Sequence, residues 1–134
     1  MASAENHAKS SAKHFGGQWE DYFRIHDFFD NTKVYLSDFR HRALRHHDVG
    51  IEIAVALFGA HMVNADLEEV SVLAIGQQHM YEDFDRIPTW GQWWPEYVTP
   101  DQIMSNPLEV TAMLLKHIQP VMWMSGHAHK LSVA

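Results

Sequence analysis

The stretch Asp21-Tyr-Phe-Arg-Ile-His-Asp-Phe-Phe-Asp30 decides the fold class. Its apolar residues Tyr22, Ile25 and Phe29, continued by Leu36, recur at intervals of three, four and seven, the spacing that gives an α-helix one buried face. The same period places His26 and Asp30, four apart, on one side of that helix. The helix is predicted over 19–36.

Downstream, Ser37 is placed to cap a second helix over 38–62. Leu44, Ile51, Val55, Phe58 and Met62 form one stripe on it and Phe39, Ala43, Ile53 and Leu57 another, so a central position is expected. Gly50 inside it costs about 1 kcal/mol relative to Ala, a cost that close approach of a neighbouring helix explains. Asn64 to Glu69 reads as a turn, Val70-Ser-Val as a short strand, and a third helix covers 72–84 before Pro88. Capping boxes at Thr89 with Gln92, Thr99 with Gln102, and Asn106 with Glu109 predict short helices, the last closed by Pro120. Residues 1–17, small and polar and ending in Gly16-Gly17, read as a mobile amino segment.

The expectation is a single all-α domain over 1–134, a compact bundle of three main helices plus short C-terminal helices. Residues 96–134 form a C-terminal extension. Its tail from Val121 to Ala134, with Met122, Trp123 and Met124, is apolar enough to dock on the domain or to build a homo-oligomer.

Composition narrows the function. The chain has 134 residues, 46% hydrophobic and 12% aromatic, ample for a core. Ten Lys and Arg against seventeen Asp and Glu leave a charge of −7, which argues against nucleic acid as a partner. No cysteine is present, so any metal must be held by His, Asp or Glu. No signal-peptide pattern opens the chain and no apolar run reaches the ~18 residues of a membrane span, so a cytoplasmic location with no membrane partner is expected. Gly-rich phosphate loops, nucleophile elbows and HExxH are all missing.

Histidine is the outlier, with eleven spread along the chain; protonating them all would carry the formal charge from −7 to +4. His26 with Asp30 and His79 with Asp83 pair an imidazole with a carboxylate at i, i+4, as helical bundles do when they build metal sites. His79 continues the line of Val72 and Ile75. His47 sits between Leu44 and Ile51, and His46 between Ala43 and Ile53, so at least one of the two is buried. A lone interior histidine is ordinarily a satisfied core residue, but three helices each bringing one to a buried face point to a shared metal. Imidazole and carboxylate suit a divalent transition metal, Zn, Fe, Mn, Ni or Cu, better than Ca or Mg. Water on an open position would make a hydrolase acting on a small-molecule substrate, and iron or copper would open oxygen chemistry. The competing class is a noncatalytic helical interaction or assembly protein, possibly phage-derived, with structural histidines.

The order His26, His47-Asp48, Asp83 resembles that of metal-dependent HD-type phosphohydrolases, although Asp48 also fits a solvated helix position. Arg40, Arg42 and Arg45 read as a solvated face paired with Asp38 and Asp48 rather than an anion site. Trp90, Trp93 and Trp94 read as a short helix closing the core.

Four segments resemble one family: His7-Ala-Lys-Ser-Ser-Ala-Lys-His-Phe-Gly-Gly, Asp21 to Asp30, Phe39-Arg-His-Arg-Ala-Leu-Arg-His-His, and Gly76-Gln-Gln-His-Met-Tyr-Glu-Asp with Ile87-Pro-Thr. It is a domain-of-unknown-function family of small bacterial and phage proteins, and the similarity covers roughly residues 7–95. The resemblance implies one helical unit and no particular activity. Its matching positions include His26, Asp30, His41, His46, His47, His79, Glu82 and Asp83, while Asp48 and His61 depart from the pattern. The candidate metal ligands are His26, Asp30, His41, His47, His79 and Asp83.

Overall fold

The computed structural model describes residues 3–105, 113–119 and 122. Helix α1 spans Ala4–Phe15 and opens with Ser3, whose hydroxyl accepts the Asn6 N–H. This helix replaces the mobile segment expected from the sequence. His7, Ala8 and Ser11 on it are fully buried. The small polar residues that read as a loose end are interior because they find hydrogen-bond partners there. Gly16 and Gly17, both at positive φ, turn the chain from α1 into α2; a Cβ on Gly17 would stand 2.7 Å from Asn64 Cβ.

Helix α2 spans Glu20–Asp30 and buries Tyr22, Ile25, His26, Phe29 and Asp30. It ends earlier than the periodicity predicts, passing into a 3₁₀ turn at Asn31–Val34. The long second helix expected over 38–62 is two elements, a 3₁₀ helix Phe39–Leu44 and helix α3, Asp48–Phe58. The break falls at Arg45-His46-His47. His47 is fully extended there and accepts the Gly50 N–H on Nδ1 at 3.0 Å, acting as the N-cap of α3. Gly50 answers this turn and not a neighbouring helix, because a Cβ on it would lie 1.8 Å from the Arg45 carbonyl oxygen.

Strand β1 (His61–Val63) pairs antiparallel with β2 (Glu69–Ser71) in the register His61 to Ser71 and Val63 to Glu69, so the fold is mostly helical but not strictly all-α. Helix α4, Val72–Phe84, matches the predicted third helix, with Ser71 capping the Ala74 N–H. Short helices α5 (Trp90–Trp93) and α6 (Pro100–Met104) open with the two capping boxes expected at Thr89 and Thr99. The third capping box, at Asn106, lies outside the described residues, as does the tail except Met122.

Helix α2 lies against α1, α3 and α4. Tyr22, Phe29, Ile51, Ile75, Met80, Trp93 and Trp94 fill the core between them, and Val98, Ile103 and Leu115 join the same cluster. The tryptophans close the core as expected: Trp93 and Trp94 donate their indole N–H groups to the carbonyls of His46 and Ala43, both at 2.8 Å. No described helix is long and apolar enough to cross a membrane.

Candidate metal centre

Helix α2 delivers Asp30 from its last turn, the break before α3 delivers His46, and α4 delivers His79 and Asp83 one turn apart on its buried face. These four side chains converge. His46 Nε2 stands 3.1 Å from Asp30 Oδ1, 3.2 Å from His79 Nε2 and 3.4 Å from Asp83 Oδ2. His79 Nε2 stands 3.3 Å from Asp30 Oδ1 and 3.4 Å from Asp83 Oδ2. An ion bound tetrahedrally at about 2.0–2.1 Å needs its ligand atoms about 3.3–3.4 Å apart, which the five separations approximate. Both imidazoles are completely buried, and Asp30 and Asp83 are nearly so. The four offer the borderline nitrogen and oxygen donors that divalent transition metals accept.

Burial works against ionisation of the two carboxyls, but the imidazoles set against them, His46 and His79 at Asp30 and His46, His7 and His79 at Asp83, hold both far below the usual carboxylate range. Both carboxyls are therefore ionised. His7 of α1 braces it from behind, with Nδ1 2.7 Å from Glu82 Oε1 and Nε2 3.2 Å from Asp83 Oδ1. Burial opposes charge on His7, yet the carboxylates of Asp83 and Glu82 beside it outweigh it and raise its pKa to about 9. Arg42 lies on the same side, its Nη2 3.7 Å from Asp83 Oδ1 and its guanidinium between the rings of Phe39 and Phe84. Among the described residues none of its nitrogens has a hydrogen-bond acceptor.

His7, His26 and His79 form a second close group. His26 Nδ1 and His79 Nδ1 are 2.9 Å apart, with ring planes 22° apart and centroids separated by 5.1 Å, the relation of an in-plane N–H···N hydrogen bond. His26 Nε2 contacts Ser11 Oγ at 2.7 Å, and Ser11 contacts Gln78 Oε1. Burial, then the neighbouring imidazoles of His79 and His7, push His26 well below the ordinary histidine value.

Of the six sequence candidates, Asp30, His79 and Asp83 meet at the centre, and His26 stands one hydrogen bond away. His41 does not reach it: Nδ1 donates to the Asp38 carbonyl at 2.6 Å, and burial, then His46, lower its pKa to about 4. His47 also points elsewhere, since Nε2 donates to the Ala43 carbonyl at 3.0 Å while Nδ1 caps α3. Asp48 Oδ1 accepts the N–H groups of Trp90 and Val49, so the HD-type constellation is not assembled. The predicted basic face is likewise divided. Arg40 pairs with Asp38, whereas Arg42 is buried and Arg45 reaches the Phe28 carbonyl.

His46, which meets the other three at the centre, and His7, which braces it, were not among the sequence candidates. A continuous helix over 38–62 gave no means to rank His46 over its neighbour, and the chain break at this point turns His46 inward. His7 lay in the segment read as loose, although its four-residue spacing from Ser11 fits one helix face.

A family model described as Domain of unknown function (DUF6915) matches residues 2–104. The chain belongs to the DUF6915 family. No curated protein and no solved structure matches it. The span of the DUF6915 domain contains all four converging residues together with His7, Ser11, His26, Gln78 and Glu82.

Proposed function

We propose that this DUF6915 domain binds one divalent transition-metal ion through Asp30, His46, His79 and Asp83. The observation that carries the reading is the set of five ligand-atom separations between 3.1 and 3.4 Å around one buried point. A borderline His₂Asp₂ set with tetrahedral spacing favours zinc among the metals that imidazole and carboxylate accept. Because all four positions come from protein and none is open to solvent, the primary role is structural. The ion ties α2, the turn before α3, and α4 into one unit, and its binding free energy adds to folding.

A hydrolytic role is the second reading, and Arg42 is the observation that favours it. A buried guanidinium with no hydrogen-bond acceptor among the described residues, next to a carboxylate of a Lewis-acid site, is suited to an oxyanion of a small-molecule substrate. Hydrolysis there would require a carboxylate to yield its position to water. The noncatalytic interaction protein with structural histidines is the reading that remains if no metal is held.

Elemental analysis of tag-free protein prepared without nickel resin tests the proposal. About one equivalent of zinc or a similar metal is expected, falling to background in His46→Ala and His79→Ala. Background metal in the parent chain, with none taken up on addition, defeats it.

A further inference from the structure

A histidine can ligate a metal through Nε2 only if that nitrogen carries a lone pair, and what sits on Nδ1 decides whether it does. In this domain the decision can be followed atom by atom from α4 through α1 and α2. Gln78 Nε2 donates to the His7 carbonyl at 3.0 Å and to both Glu82 carboxylate oxygens at 3.1 Å. Three acceptors on that side fix the amide orientation, so Gln78 Oε1 is the atom facing Ser11. An amide oxygen only accepts, and the two oxygens are 2.5 Å apart, so the Ser11 proton lies between them. The other oxygen within reach of Ser11 Oγ, the His7 carbonyl, is also acceptor-only.

Ser11 therefore has no proton to offer His26, and His26 Nε2–H is the donor across their 2.7 Å contact. His26 touches no carboxylate through either ring nitrogen and is completely buried among imidazoles, so it carries that single proton. Its Nδ1 is then a lone pair. Across the 2.9 Å gap His79 Nδ1 supplies the hydrogen, which makes Nε2, facing Asp30, Asp83 and His46, the nitrogen whose lone pair an ion takes.

We infer that the chain of hydrogen bonds Gln78–Ser11–His26–His79 locks His79 in its Nδ1–H tautomer, making Ser11, Gln78 and His26 positioning residues for the metal centre. The inference rests on the metal-binding reading for its purpose, but the tautomer itself is measurable without metal. The chain also gives His7 and Glu82 a role, since their oxygens orient the Gln78 amide.

The test is made on the full chain in two arms. In the first, ¹⁵N NMR at about pH 8 reads the His79 ring in metal-free and zinc-loaded protein. Nδ1 is expected to carry a proton in both; a ring protonated on Nε2 alone in the metal-free chain overturns the lock. In the second, zinc affinity is measured by competition with a chromophoric chelator. Ser11→Ala and Gln78→Met are expected to bind about 10–100-fold more weakly, and Ser11→Thr, which keeps the hydroxyl, to bind as the parent does. Parental affinity in both weakened variants overturns the positioning role. A parent chain that takes up no zinc yet keeps the Nδ1–H tautomer supports the lock and defeats only the metal centre.

Discussion

His46 Nε2 and His79 Nε2 stand 3.2 Å apart in the core, from positions 33 residues apart in the chain. Each also faces oxygens of Asp30 and Asp83. Two buried carboxylates held in the charged state, with imidazole nitrogens turned toward the same point, make an arrangement that a cation at the centre resolves. The consequences can be tested separately for ligands, turn, pH and stability.

Replacement of a converging residue should separate from replacement of its neighbour. His46→Ala or His79→Ala is expected to weaken zinc binding by at least about 100-fold. His47→Ala should leave one bound ion but lower stability by about 2 kcal/mol through the lost N-cap. Paired chelator competition and thermal melts distinguish the two, and a His47→Ala protein that has lost its metal would refute the assignment.

The turn at 45–47 is what aims His46, and Gly50 permits that turn. Gly50→Ala forces a Cβ into the Arg45 carbonyl and is expected to cost about 3 kcal/mol or more, with loss of metal uptake. Gly91 has open space around it, so Gly91→Ala should change stability by no more than about 0.5 kcal/mol. Equal melting temperatures for the two variants would contradict this account of the turn.

Acid and alkali should destabilise the metal-free chain through different histidines. Burial lowers His41 and His47 to about 4. Their unfolded value is about 6.5, so the unfolded chain binds more protons in between, and stability falls as pH drops through that window, by about 3 kcal/mol for each at most. His7 works in the other direction, because its folded pKa is raised to about 9. Its contribution is complete below about pH 6.5 and disappears as pH rises through about 9. Melts in chelator from about pH 4 to 10 check both arms, and a melting temperature flat below about pH 6.5 would contradict the acid arm.

Metal should also stabilise by mass action. Free zinc at about a hundred times its dissociation constant adds about 2.7 kcal/mol, which corresponds to roughly 10 °C in melting temperature for a chain of this size. Addition of chelator is expected to remove that increment from the parent chain and to leave His79→Ala unchanged. An identical response in both would place the effect elsewhere.

Much of the helical framework was legible in the sequence. The period of Tyr22, Ile25 and Phe29 located α2, Val72 to Phe84 matched α4, and Thr89 and Thr99 marked α5 and α6. The failures share one physical cause. Hydrophobic period sees apolar burial only, whereas α1 is anchored by buried His7 and Ser11, and the end of the 3₁₀ helix before α3 is set by a histidine cap. At the site, i, i+4 spacing found His79 with Asp83. Choosing between His46 and His47 required the backbone break, which no periodicity encodes.

The central claim is tested most directly by anomalous diffraction at the zinc edge from crystals of the zinc-loaded, tag-free chain. The account predicts one buried peak within about 2.2 Å of His46 Nε2, His79 Nε2 and one oxygen each of Asp30 and Asp83. Peaks only at surface histidines, or none in zinc-soaked crystals, would contradict it.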